Sequence, residues 1–141
     1  RQLLGQLEKL SGNIKVIFDS SQKVLSVCDL AVVASGTATL EAGILAKPMV
    51  VIYKSNFLSN FILSNFFLKT KFIALPNILS KEQIIFELRQ SQVIGEQIYE
   101  KVILSLKNKR NISEKLGSIK QSLLVSESNK FTKAIQEIFS K

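Results

Sequence analysis

Leu30-Ala31-Val32-Val33-Ala34-Ser35-Gly36-Thr37-Ala38-Thr39-Leu40-Glu41 decides the fold of this chain. Its first five residues are a continuous apolar run, as expected for a strand covered on both faces in a parallel sheet. A small-residue turn follows, and Leu40, Ile44 and Leu45 then continue at helical spacing until Pro48 stops them. Such a turn leaves unpaired backbone N–H groups at the helix N-terminus, where the helix dipole favours an anion. Gly36 permits close approach of a phosphate, and the hydroxyls of Ser35, Thr37 and Thr39 add donors around Ala38. Glu41 lies one turn further in, where a carboxylate can accept two hydrogen bonds from ribose hydroxyls. The plainer reading of the same residues is an N-cap turn followed by a surface glutamate.

On the N-terminal side, Leu3, Leu4, Leu7 and Leu10 recur at helical spacing, and Gly12-Asn13 ends that helix. Ile14 to Phe18 reads as a short strand, and Asp19 with Gln22 as a capping box opening a helix through Val24, Leu25 and Val27. On the C-terminal side, Met49 to Tyr53 is a β-branched buried strand and Lys71 to Leu75 a later one. Strands alternating with helices predict right-handed βαβ crossovers and a doubly wound α/β layer, a Rossmann-like parallel sheet. After Asn77 the pattern turns helical. Ser80 and Gln83 form a second capping box before Ile84, Ile85 and Leu88. Further helices are expected from Gly95 to Lys109, from Asn111 (paired with Glu114) to Val125, and from Ser128 to Phe139 with a stripe of Phe131, Ile135 and Phe139.

A length of 141 residues is one domain's worth, and 46% apolar with 21% charged residues is the composition of a folded chain. There is no histidine and a single cysteine, Cys28. Internal disulfides, the usual zinc sites, Ser-His-Asp and Cys-His pairs and every His general base are therefore excluded. The net charge of +8 is spread along the chain, which suits phosphates or anionic lipid better than a nucleic-acid stripe. No nucleic-acid partner is expected. No signal peptide opens the chain, and no run of eighteen apolar residues would span a bilayer. Beginning at Arg1 inside a helical pattern, the chain reads as part of something longer. In Asn56–Lys69, Phe57, Phe61 and Leu68 share one helical face, with Leu58, Ile62 and Phe66 beside it. That face packs between the sheet and a neighbouring domain, or it meets membrane or acyl chains flanked by Lys54, Lys69 and Lys71.

The string Cys28–Ala42, then Lys47-Pro48-Met49-Val50-Val51-Ile52-Tyr53-Lys54, then Ala74-Leu75-Pro76-Asn77-Ile78-Leu79 followed by Glu87-Leu88-Arg89-Gln90, resembles the lipid A disaccharide synthases. The resemblance implies a GT-B fold. Residues 1–141 would be its nucleotide-sugar-binding C-terminal domain, with 111–141 a helical tail and the N-terminal acceptor domain absent. It implies transfer of diacylglucosamine from its UDP carrier to diacylglucosamine 1-phosphate, inverting the anomeric centre, with no metal and no cofactor. Ser35, Gly36, Thr37, Ala38, Thr39 and Glu41 would hold the diphosphate and ribose, and Asn77 would sit at the active-site cleft as the catalytic candidate. Phe57, Phe61 and Phe66 would form the membrane or acyl face. The implied partners are those two lipids, the inner-membrane surface from the cytoplasmic side, and a second copy through the C-terminal helices. Two features of the family are missing: a Gly-Ser-Arg phosphate turn upstream, and the acidic base of the N-terminal domain. Alone, this chain is expected to bind weakly and catalyse nothing. The alternatives are another GT-B enzyme using UDP-N-acetylglucosamine (a peptidoglycan glycosyltransferase or a 2-epimerase) and a non-catalytic membrane-surface module.

Overall fold

The computed structural model describes residues 17–18, 21–54 and 71–139, the last helix by backbone alone beyond residue 125. In chain order the elements are α1 (Ser21–Val27), β1 (Ala31–Ala34), α2 (Thr37–Ile44), β2 (Met49–Tyr53), α3 (Leu75–Ser80) and β3 (Phe86–Arg89). A short 3-10 turn, Gln90–Gln92, leads to α4 (Gly95–Lys107) and α5 (Lys109–Phe139). The strands form one parallel sheet in the order β1-β2-β3, with Ala31 opposite Met49 and Val50 opposite Phe86. Ala31 N–H donates to the Pro48 carbonyl and Ser35 N–H to that of Ile52, each at 3.0 Å, which extends the ladder past both ends of β1.

Strand alternation sorts the core into two faces. Val33, Met49 and Val51 point to one face and join Ala42 of α2 and Ile112 and Leu116 of α5 in the main cluster. Val50 and Leu88 point to the other, where α4 packs on β2 and β3 and the Lys101 ammonium lies 5.3 Å from the Phe86 ring centroid. Helices on both faces of a parallel sheet are the α/β arrangement that the strand–turn–helix pattern predicted. β1 is covered less fully than its apolar run suggested. Among the described residues α4 packs mainly on the other two strands, and Val32 remains 45% exposed.

Where α2 ends, Ala46 takes φ 51°, its N–H donates to the Gly43 carbonyl, and Lys47 N–H donates to that of Ala42. This is a Schellman closure made by the two residues directly before Pro48.

Three expectations are corrected. Residues 71–74 form no strand. The N–H groups of Ile73 and Ala74 donate instead to the two carboxylate oxygens of Glu87, at 2.8 and 2.9 Å, and a helix opens at Leu75. The helix expected behind Ser80 and Gln83 is absent. Ser80 Oγ donates back to the Pro76 carbonyl at 2.8 Å, Lys81 adopts the left-handed conformation that ends α3, and Phe86–Arg89 becomes the third strand. The two tail helices are one, of 31 residues. Asn111 caps nothing, because the break lies at Asn108, whose carbonyl accepts from Ile112 N–H. Ser126-Glu127-Ser128-Asn129 holds no Gly or Pro to interrupt the helix.

The Leu3–Leu10 helix, most of the Ile14–Phe18 strand, Asp19 of the first capping box, the segment bearing Phe57, Phe61 and Phe66, and the side chains of Phe131, Ile135 and Phe139 lie outside the described residues. No helix among the described residues is long and apolar enough to cross a membrane.

Candidate functional site

The turn after β1 sits at the carboxyl end of the sheet, the edge at which open α/β sheets take their ligands. Gly36 has φ 149° and ψ −152°, a region that is essentially restricted to glycine. A Cβ built there would meet nothing within 4 Å. The backbone, not crowding, therefore demands glycine, and the space over the turn is open to an approaching group. Thr39 secures the turn: its N–H (3.1 Å) and its hydroxyl both donate to the Gly36 carbonyl. That hydroxyl is buried, with the residue 4% exposed, so the outward-facing hydroxyls are those of Ser35 and Thr37. Ser35 N–H is committed to the sheet. Thr37 and Ala38 N–H belong to the first helical turn, whose amides have no intrahelical acceptor.

Glu41 follows at mid-helix and accepts a hydrogen bond from Ser21 Oγ at 3.3 Å. It borders a cleft of about 640 Å³ along β1, together with Ser21, Val24, Leu30, Val32 and Ala38. The expected phosphate turn and its glutamate are thus joined by one helix, and of the turn's residues Ala38 lines the cleft with Glu41. Among the described residues no group of three or more His, Cys, Asp or Glu is placed to hold a metal ion.

Asn77 lies elsewhere, behind the edge. It is 0% exposed and its amide is fully engaged. Nδ2 donates to the Ile85 carbonyl and to Glu87 Oε1, both at 2.9 Å, while Oδ1 accepts from the N–H groups of Ile84 (2.8 Å) and Ile85 (3.0 Å). Glu87 is the hub of this network. Its side chain is 5% exposed and accepts from Ile73 N–H, Ala74 N–H, Asn77 Nδ2 and Arg89 Nη2, the last at 2.7 Å. A buried carboxylate is tolerated only when satisfied in this way. Nothing in the periodicity singled Glu87 out. The available signal was an acidic residue between Phe86 and Leu88, on the inward face of a strand.

Asp29 precedes β1 and pairs with Lys109 at 3.0 Å. The hydrogen bond from Lys109, with its charge, holds the Asp29 carboxyl below the usual carboxylate range.

Comparison with known proteins places relatives around this geometry. The family model described as lipid-A-disaccharide synthetase matches residues 1–139. A lipid-A-disaccharide synthase of Colwellia psychrerythraea is 32% identical over 129 residues, covering 91% of this chain and 33% of that protein. One from Pseudomonas putida is 31% identical over 134 residues, covering 95% and 36%. One from Nitrosococcus oceani is 38% identical over 113 residues, covering 78% and 29%. The chain spans about a third of the length of these relatives.

Proposed function

The chain belongs to the lipid-A-disaccharide synthetase family, and from that premise we propose that it is the nucleotide-sugar-binding, C-terminal part of a glycosyltransferase of lipid A biosynthesis. Its reaction transfers diacylglucosamine from UDP to the hydroxyl of diacylglucosamine 1-phosphate. The bond from the anomeric carbon to the β-phosphate oxygen breaks, a bond to the acceptor oxygen forms on the opposite face, and UDP leaves. The acceptor proton goes to a base outside this chain, and no metal takes part.

The observation that carries the reading is the Gly36 turn: an open, glycine-only corner at a helix N-terminus on the ligand edge of the sheet. Negative charge grows on the leaving diphosphate. The Thr37 and Ala38 amides, the Ser35 and Thr37 hydroxyls and the dipole of α2 meet it without reorganising. Glu41 takes the ribose hydroxyls, exchanging its bond from Ser21 for two from the sugar. Asn77 contributes as a positioning residue through Ile84, Ile85 and Glu87. Residues 111–141 act as the helical tail through which a second copy pairs. Phe57, Phe61 and Phe66 bring the protein to its acylated substrates on the cytoplasmic face of the inner membrane.

In the complete protein, Glu41→Ala is expected to weaken UDP binding by about 1–3 kcal/mol, through loss of hydrogen bonds to a charged acceptor. Calorimetry finding unchanged UDP affinity would sink the ribose assignment.

A further inference from the structure

The carboxyl edge of the sheet carries a second feature, on its β2–β3 side. Tyr53 stands in register with Arg89, and Lys54 follows Tyr53 directly. Arg89 Nη2 donates to the Lys71 carbonyl at 2.9 Å and to Glu87 Oε2 at 2.7 Å, which brings the 71–74 segment against the end of β3. Lys71 and Arg89 therefore meet at one end of the edge, and Lys54 lies one residue beyond the end of the neighbouring strand.

Their charge is poorly compensated. Among the described residues no carboxylate pairs with Lys54 or Lys71. Lys71 instead lies over the Phe72 ring, 5.3 Å from its centroid. The nearby counter-charge, Glu87, is buried and already accepts from two backbone amides and Asn77. Both lysines are exposed, and the Arg89 side chain is 32% exposed. A guanidinium offers five donors in a fixed fork, and the two bonds made by Nη2 hold that fork in place, so little ordering remains when an anion arrives.

Adjacent strands lie roughly 4.8 Å apart, so the end of β3 is about 10 Å from the Gly36 turn across β2. An anion at Arg89 is thus a different group from one seated on the Gly36 amides. Three cations against one committed carboxylate match a phosphate monoester, with its charge of about −1.5 to −2, better than a single carboxylate.

We propose that Lys54, Lys71 and Arg89 form a second anion subsite that takes a phosphate monoester, separate from the diphosphate at Gly36. This rests on the nucleotide-sugar reading above, in which one substrate carries the diphosphate and the other a lone phosphate.

The test is calorimetry on the complete protein with three probes: UDP, diacylglucosamine 1-phosphate, and diacylglucosamine without its phosphate. Arg89→Gln, and separately the double variant Lys54→Gln/Lys71→Gln, should each weaken the phosphorylated lipid tenfold or more. UDP should stay within twofold, and the unphosphorylated lipid should bind variant and parent alike. Should Arg89→Gln fail to fold, the lysine pair carries the test, both being exposed. Equal weakening of UDP and the phosphorylated lipid would assign these cations to the diphosphate and overturn the proposal. So would unchanged binding of both. A parent that binds no UDP yet shows the phosphate-dependent difference would refute the nucleotide reading and uphold the subsite.

Discussion

Replacing Asn77 by alanine separates two roles for that residue. The side chain is 0% exposed and makes four hydrogen bonds. In the alanine variant the N–H groups of Ile84 and Ile85 and the Ile85 carbonyl lose their partner. Glu87 keeps Ile73, Ala74 and Arg89. A buried polar group left unsatisfied costs about 1–3 kcal/mol. Three such groups, partly relieved by relaxation, give a loss of about 4 kcal/mol, at the upper end for single substitutions. With a urea dependence of about 2 kcal/mol per molar, the unfolding midpoint of this domain should fall by about 2 M. Hydrogen exchange at Ile84 and Ile85 should accelerate with it. Asn77→Asp keeps the acceptor for both amides but sets an oxygen against the Ile85 carbonyl and Glu87. The variant therefore keeps both backbone bonds but should still lose stability, because two acceptors are left facing one another in a buried site. An alanine variant with the parent's urea midpoint and no turnover would refute the reasoning, because Asn77 would then be acting on substrate directly.

Gly36→Ala should abolish UDP binding and cost about 1–3 kcal/mol of backbone strain; since a Cβ there meets open space, a variant with parental stability and affinity would show that the turn does not need glycine. Ser105 is buried, and its hydroxyl has no hydrogen-bond partner among the described residues, so Ser105→Ala should raise the melting temperature by roughly 2–4 °C for about 1 kcal/mol gained; a lower melting temperature would contradict this. Asp29 has its pKa lowered by the Lys109 hydrogen bond. The stability it contributes is present above the unfolded carboxylate pKa and is lost as pH falls through the lower native one. Asp29→Asn should therefore flatten the acid limb of a melting-temperature profile, less so in high salt because the pair is exposed; an unchanged limb at low salt would dismiss the pair.

The reach of the sequence differs between elements for physical reasons. β1, α2 and β2 were legible because each is specified locally: an apolar run, a glycine turn, a periodic helix closed before Pro48. Residues 71–89 were not. Ile84, Ile85 and Leu88 suit a helical stripe as well as they suit a strand and its approach, and the choice is made by a side chain ten residues from Glu87. Asn77 Oδ1 takes the Ile84 and Ile85 amides and so keeps them out of a helical ladder. Likewise Lys71–Leu75 has the composition of a strand but lacks a neighbour, because Glu87 intercepts its amides. Short-range pattern has no access to such bonds. The fused tail is the opposite case: local signals for a break were read where none of the residues, Gly or Pro, that enforce one was present.

The same bonds change what the sequence blocks mean. Leu75-Pro76-Asn77 and Glu87-Leu88-Arg89-Gln90 stand apart in the chain, yet Asn77 Nδ2 and Glu87 Oε1 meet at 2.9 Å, so the two blocks are one structural unit. Its inner half, Asn77 with Glu87, is saturated by backbone groups and has no bonding capacity left for a ligand. Its outer half, Arg89, is tethered by the inner half and partly exposed at the ligand edge. A substitution at Asn77 or Glu87 therefore acts on ligands through the placing of Arg89 and the 71–74 segment, and its effect on binding should track its effect on stability. One at the exposed Lys54 and Lys71 should not. Measured across Asn77→Ala, Glu87→Gln and the double variant Lys54→Gln/Lys71→Gln, affinity for diacylglucosamine 1-phosphate should fall in all three, while the urea midpoint falls by more than about 1 M in the first two only. A single line relating affinity to midpoint through all three variants would mean that the two lysines, too, act only through the fold.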